Sequence, residues 1–146
     1  MGALLDTSVL IDLERRSSAT GSPFGHSFAN LLRGALDPNE PVAIATITAS
    51  ELLHGVHRAT PQHRPRREAF VEAILAAVPT VPFDLRAART YARIWAELAA
   101  SGVDFGPHDR IIASSALSLG WKVVTANARH FNAIAGLDVL EQRAEA

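Results

Sequence analysis

Apolar residues in this chain fall into two kinds of pattern. Short uncharged runs, Ala3-Leu4-Leu5, Val42-Ala43-Ile44-Ala45 and Val123-Val124, are bounded by polar residues and turns. Runs of that length, with no polar alternation, suit strands buried on both faces. The pattern predicts strands over 2–6, 42–45, 80–83, 121–125 and 137–140. Between them the apolar positions recur at helical spacing. Helices are expected over 8–15, His26–Leu36, Thr48–Ala59, Arg66–Val78, 84 to Ser101, Pro107–Leu119 and Asn127–Ile134. Strands alternating with helices imply an α/β fold whose mostly parallel sheet, of four to five strands, is covered on both faces.

Local signals punctuate these elements. Thr7 or Ser8 suits the cap of the first helix. Thr48 and Glu51 have the spacing of a capping box. Asp84 caps the fifth helix, whose buried side is read as Leu85, Ala88, Tyr91, Ala92, Trp95 and Leu98, and Gly102 closes it. Gly120 stops the helix before the fourth strand. Pro82 points to an edge strand, because it cannot donate to a ladder. The stretch from Arg15 to Gly25, rich in Ser, Gly and Thr, reads as a loop, as do Asp37–Pro41 and Thr60–Pro65. No repeat, low-complexity tract or linker divides residues 1–146, which fit one domain.

Chemistry enters through Asp6. It stands where the carboxyl end of the first strand meets a helix, the edge at which open α/β sheets bind ligands. Glu51 and Asp109 are placed in first helical turns, and Asn127 directly follows the fourth strand. Each acid alone reads as a helix cap, since helix N-termini favour carboxylates. Together they suggest one cluster. Carboxylates at one point repel each other and rise in pKa unless a cation neutralises them. A cluster built of oxygens suits Mg²⁺ or Mn²⁺, and such a site does phosphoryl chemistry.

Composition narrows the choices. There is no cysteine, so disulfides, thiolate zinc sites and a Cys nucleophile are excluded. The formal net charge of −1 gives no global attraction for a polyanion, which must meet a local basic patch or metal ions. Arg58, His63, Arg64, Arg66 and Arg67 form the one basic cluster. His54 and His57 lie three apart on one helix but lack the Glu of a zinc motif. Asp12 and Asp104 read as solvated acids. Asp6 and Asp12 interrupt the first apolar stretch, so no signal peptide or membrane span is expected and a cytoplasmic setting is.

At four places the chain resembles the PIN-domain ribonucleases, and among them the VapC toxins. The segments are Leu4-Leu5-Asp6-Thr7-Ser8-Val9-Leu10-Ile11, Thr46 to Val56 around Glu51, Pro107 to Ala116 around Asp109, and Val124-Thr125-Ala126-Asn127-Ala128-Arg129-His130-Phe131. The resemblance implies a three-layer α/β/α fold and a Mg²⁺- or Mn²⁺-dependent endoribonuclease. It implies an acidic quartet at Asp6, Glu51, Asp109 and the position of Asn127, with Asp6 and Asp109 on the metal and with Ser8 and Thr125 supporting them. Many relatives have Asp where this chain has Asn127, which keeps an oxygen but loses the charge. An RNA substrate, a VapB-type antitoxin and a homodimer are the implied partners. The competing readings are a degenerate RNA-binding module and a phospho-acceptor domain. The latter lacks its second Asp, which is Ser8 here, and Lys122, the only lysine, is at the wrong end of its strand.

Overall fold

The computed structural model describes residues 1–20, 39–103 and 106–142, with the backbone alone at 17–20. The elements are β1 (Ala3–Leu5), α1 (Thr7–Thr20), β2 (Val42–Ala45), α2 (Thr46–Arg58), α3 (Arg64–Ala77) and β3 (Thr80–Val81). They continue with α4 (Leu85–Ala100), α5 (Pro107–Leu119), β4 (Lys122–Thr125), α6 (Ala128–Phe131) and β5 (Val139–Glu141). The strands form one parallel sheet in the order β3-β2-β1-β4-β5. β3 is the edge strand anticipated from Pro82.

Strand side chains alternate between faces, and each face has its own core. Leu5, Ile44 and Val124 point to one side, where they meet Leu10 and Leu13 of α1, Leu52 and Val56 of α2, and Phe70 and Ile74 of α3. Leu4, Ala43, Ala45 and Val123 point to the other, against Ile94 and Leu98 of α4, Ile112, Ala113 and Ala116 of α5, and Phe131. The uninterrupted apolar runs in the sequence follow from this double burial.

Several boundaries differ from expectation. α1 starts at Thr7 and runs to Thr20. Neither Gly nor Pro interrupts Arg15 to Thr20, so the helix continues where polar composition suggested a loop. The rest of that loop, the helix expected over His26–Leu36 and the start of the Asp37 turn lie outside the described residues. α2 begins at Thr46, directly after β2, with Ala45 at its cap position and no side-chain cap. Thr48 and Glu51 therefore make no capping box, and Glu51 sits in the second turn. The helix start is tied instead by Thr46 Oγ1, which donates to the Val81 carbonyl at 2.9 Å. Asp84 does cap α4, accepting from the Ala87 N–H at 2.9 Å.

The buried stripe of α4 is Ala87, Ile94 and Leu98, and it packs along α5. Leu85 and Trp95, expected inside, are 67% and 55% exposed. The inward stripe is narrow because, among the described residues, α4 packs chiefly against the one helix α5. Trp95 finds a guanidinium in place of the core: Arg110 lies 5.6 Å from its ring centroid and 5.8 Å from that of Tyr91.

Two glycines fix the sheet ends. Gly120 adopts φ +69° and closes α5 before β4. Gly2 lies under the Trp121 indole, and a Cβ there would sit 2.4 Å from the ring. Among the described residues no helix is long and apolar enough to cross a membrane.

Candidate functional site

The chain proceeds from β1 to β2 to β3 on one side of β1, then returns to place β4 on the other. The crevice at the carboxyl ends of β1 and β4 is thus the point where strand order reverses, the usual ligand position in such sheets. Asp6 directly follows β1 there, its N–H donating to the Val124 carbonyl at 2.8 Å. It is 5% exposed.

Two hydroxyls converge on one oxygen of this buried carboxylate. Ser8 Oγ donates to Asp6 Oδ2 at 2.7 Å, and Thr125 Oγ1 donates to the same atom at 2.8 Å. Each hydroxyl in turn accepts a backbone N–H: Ala126 donates to Ser8 at 3.0 Å and Asn127 to Thr125 at 3.0 Å. Both hydroxyl hydrogens are therefore spent on Asp6, and the 3.2 Å separation of Ser8 and Thr125 is a contact between two donors to a shared acceptor. Burial is the largest influence on the Asp6 carboxyl and lifts its pKa above the ordinary value. The Ser8 and Thr125 hydrogen bonds and the Thr7 N–H oppose that rise, and the negative charge of Asp109 adds to it.

The other acids reach the site from separate helices. Glu51, half-buried on α2, accepts from Thr7 Oγ1 at 2.9 Å. Thr7 also lies 3.1 Å from Thr48 Oγ1, so its hydroxyl joins α1 to α2 and does not cap its own helix. Asp109 is in the first turn of α5, half-buried, with His130 Nδ1 3.2 Å from its Oδ2. His108 Nδ1 stands 3.6 Å from Glu51 Oε2. Asn127 is exposed at the cap position of α6 and joins the cluster through its backbone N–H.

Asp6, Ser8, Thr125 and Asp109 thus gather at one sheet edge, with Glu51 linked to them through Thr7 of the same turn. Sequence reasoning missed Thr7, His108 and His130. His108 adjoins Asp109, and His130 falls one helical turn beyond Asn127; either spacing signals proximity to the cluster. Elsewhere His54 and His57 are exposed on α2. Asp12 is partly buried and 3.8 Å from Arg15; Asp104 lies outside the described residues. Within the basic cluster Arg67 pairs with Glu14 at 3.2 Å, and Arg64 donates to the Ala59 carbonyl at 3.0 Å. Lys122 pairs with Glu40 at 3.3 Å, at the amino end of β4 and so at the far end of the sheet from Asp6. A receiver-type lysine is thereby absent from the site among the described residues.

The donor chemistry fits a hard divalent cation: two carboxylates that repel each other, hydroxyls around one of them, and no sulfur. Among the described residues no three acidic or imidazole side chains form a ready-made cage. That arrangement suits an ion that keeps several of its waters, as Mg²⁺ does.

The family model described as PIN domain matches residues 3–137. The chain belongs to the PIN-domain family. Its relatives specify the branch. Ribonuclease VapC1 of Rickettsia felis is 33% identical over 143 residues, 96% of each chain. The tRNA(fMet)-specific endonuclease VapC of Shigella flexneri is 30% identical over 92% of each. Among solved structures, VapBC-5 from Mycobacterium tuberculosis, a member of the VapBC family of toxin-antitoxin systems, matches with TM-score 0.71 and 31% identity, covering 99% of this chain and 100% of that one. Within the PIN-domain family the chain therefore belongs with the VapC ribonucleases, and its parallel sheet with helices on both faces is that of the PIN fold.

Proposed function

We propose that this chain, acting as one domain over residues 1–146, is the endoribonuclease toxin of a VapBC-type toxin–antitoxin pair, and that its catalytic centre is the Asp6–Asp109 cluster. The observation that carries the reading is the burial of Asp6 beside Asp109 at the switch point of the sheet. A carboxylate whose proton is held by burial and a neighbouring charge is one that a cation would relieve. Asp6 and Asp109 hold Mg²⁺ or Mn²⁺; Glu51 and the amide oxygen of Asn127 complete the polar wall. When bound, the ion supplies a more acidic water and compensates charge on the phosphate under attack. The chain's own part is orientation: Ser8 and Thr125 fix Asp6, Thr7 fixes Glu51, and the exposed rim admits the RNA backbone.

Two partners follow from the same reading. A cleft of about 140 Å³ lined by Leu10, Ile11, Leu52 and Phe70 opens beside Glu51. Its apolar floor and acidic end suit an amphipathic antitoxin helix followed by a basic residue that pairs with the site acids. Leu52, Val56, Phe70 and Ile74 are all buried in one core, and of these Leu52 and Phe70 also floor the cleft; Phe28, Leu31 and Leu32 lie outside the described residues. A second copy of the chain is the other partner. The exposed Phe83, Leu85 and Trp95 support twofold pairing through α4. The setting is cytoplasmic.

The test is cleavage of labelled RNA by the purified chain with Mg²⁺ or Mn²⁺, with and without EDTA, beside Asp109→Asn. Cleavage that needs the cation and is lost in the variant, with an unchanged melting curve, supports the reading. Cleavage that survives EDTA, or an active Asp109→Asn, overturns it.

A further inference from the structure

One short connection touches both acids. Thr125 donates to Asp6 Oδ2, and five residues later His130 meets Asp109 Oδ2 at 3.2 Å. An ionised carboxylate only accepts hydrogen bonds, so the proton between them resides on Nδ1, and the imidazole donates. Asp109 is a first-turn residue whose side chain is 33% exposed, and it faces a like charge on Asp6. Left alone, such a side chain rotates toward water and away from its neighbour. The hydrogen bond from His130 opposes that rotation.

His130 is itself firmly placed. The next residue, Phe131, is 1% exposed and packs with Ile112, Ala113 and Ala116 of α5, the helix that carries Asp109. At the start of α6 the Asn127 N–H is bound to Thr125 Oγ1, and the Ala128 N–H donates to Glu141 Oε1 at 3.3 Å. The imidazole and the carboxylate thus ride on two elements locked to each other through the core.

We propose that His130 is a positioning residue of the site: it holds the Asp109 carboxylate beside Asp6, so that the pair is set to receive a divalent cation. This rests on the reading that Asp6 and Asp109 hold that cation. Hydrogen-bond partners behind a ligating carboxylate commonly govern metal affinity, and their loss weakens it by about 10- to 100-fold.

The experiment measures Mn²⁺ binding directly, by the electron paramagnetic resonance signal of free Mn²⁺ and by calorimetry, on the full chain without RNA. His130→Ala removes the donor; His130→Asn puts an amide nitrogen near the place of Nδ1. His130→Leu serves as a second removal should the alanine variant melt early. Mn²⁺ affinity is expected to fall at least about tenfold in the removal variants and to stay within about threefold of wild type in His130→Asn. Equal affinity in wild type and a folded removal variant overturns the positioning role while leaving the cation reading intact. An Asn variant as weak as the alanine one also overturns it. A wild-type chain that binds no Mn²⁺ overturns both.

Discussion

At the scale of single residues, Asp6 carries opposing demands. Its place at the end of β1 buries it, and burial disfavours its charge. The two hydroxyls and the Thr7 N–H favour that charge without fully offsetting burial. The folded chain therefore binds the Asp6 proton more tightly than the unfolded one, and stability falls as pH rises through the window above the ordinary value of 3.8. At neutral pH the ionised group costs stability. Asp6→Asn removes that cost while its amide oxygen still accepts from Ser8 and Thr125. The metal-free variant is expected to melt above wild type at pH 7. The gap should close as pH approaches 3.8, which calorimetric melts across pH can check; an Asn variant less stable at every pH contradicts this account. The same variant should be inactive on RNA. Position 6 was legible in the sequence because an acid ending an apolar run is conspicuous. The partners of Asp109 and Glu51 were not. A histidine's neighbours are set by how helices pack, and nothing in the local spacing of His108 or His130 states which carboxylate each will meet.

At the scale of elements, the central strands were readable because burial on both faces leaves β1 and β2 wholly apolar and puts Val123 and Val124 at the middle of β4. Helix ends were readable where one residue decides them. Asp84 caps α4, and Gly120 ends α5 in the left-handed region at φ +69°. Ends decided by tertiary contacts were not readable. α2 starts without a cap because β2 feeds straight into it, and the inward face of α4 was misplaced because its neighbour α5 takes so narrow a stripe. The Gly120 turn is testable by itself. No atom obstructs a side chain there, so Gly120→Ala introduces backbone strain alone. It should cost about 1–2 kcal/mol, read as a lower midpoint in urea with an unchanged slope. A neutral result would mean that α5 can end in another conformation.

For the whole molecule, the exposed apolar residues at the start and outer face of α4 stand out among the described residues. Phe83, Leu85 and Trp95 are 42%, 67% and 55% exposed and close together in the chain. Clustered aromatic and aliphatic exposure of this sort marks contact surfaces. Light scattering of the purified chain should give twice the monomer mass, and Trp95→Glu should shift it toward monomer with the fold retained by circular dichroism. A wild-type monomer at high micromolar concentration counts against pairing.

The indole over Gly2 bears on how this protein tolerates change. Gly2 and Trp121 stand at the amino end of the sheet, remote from the carboxylates, and Lys122 donates to the Gly2 carbonyl at 3.2 Å to set the β1–β4 register. Adding even a methyl at Gly2 forces ring or strand to move, at about 1–3 kcal/mol for such overcrowding. β1 is only three residues long and ends at Leu5, directly before Asp6, so it offers little length over which to absorb a displacement. A substitution at the floor of the sheet can therefore disarm the cluster at its mouth. Spontaneous inactive variants of this chain, collected by survival of the host, should include changes at Gly2 and Trp121 as well as at the acids.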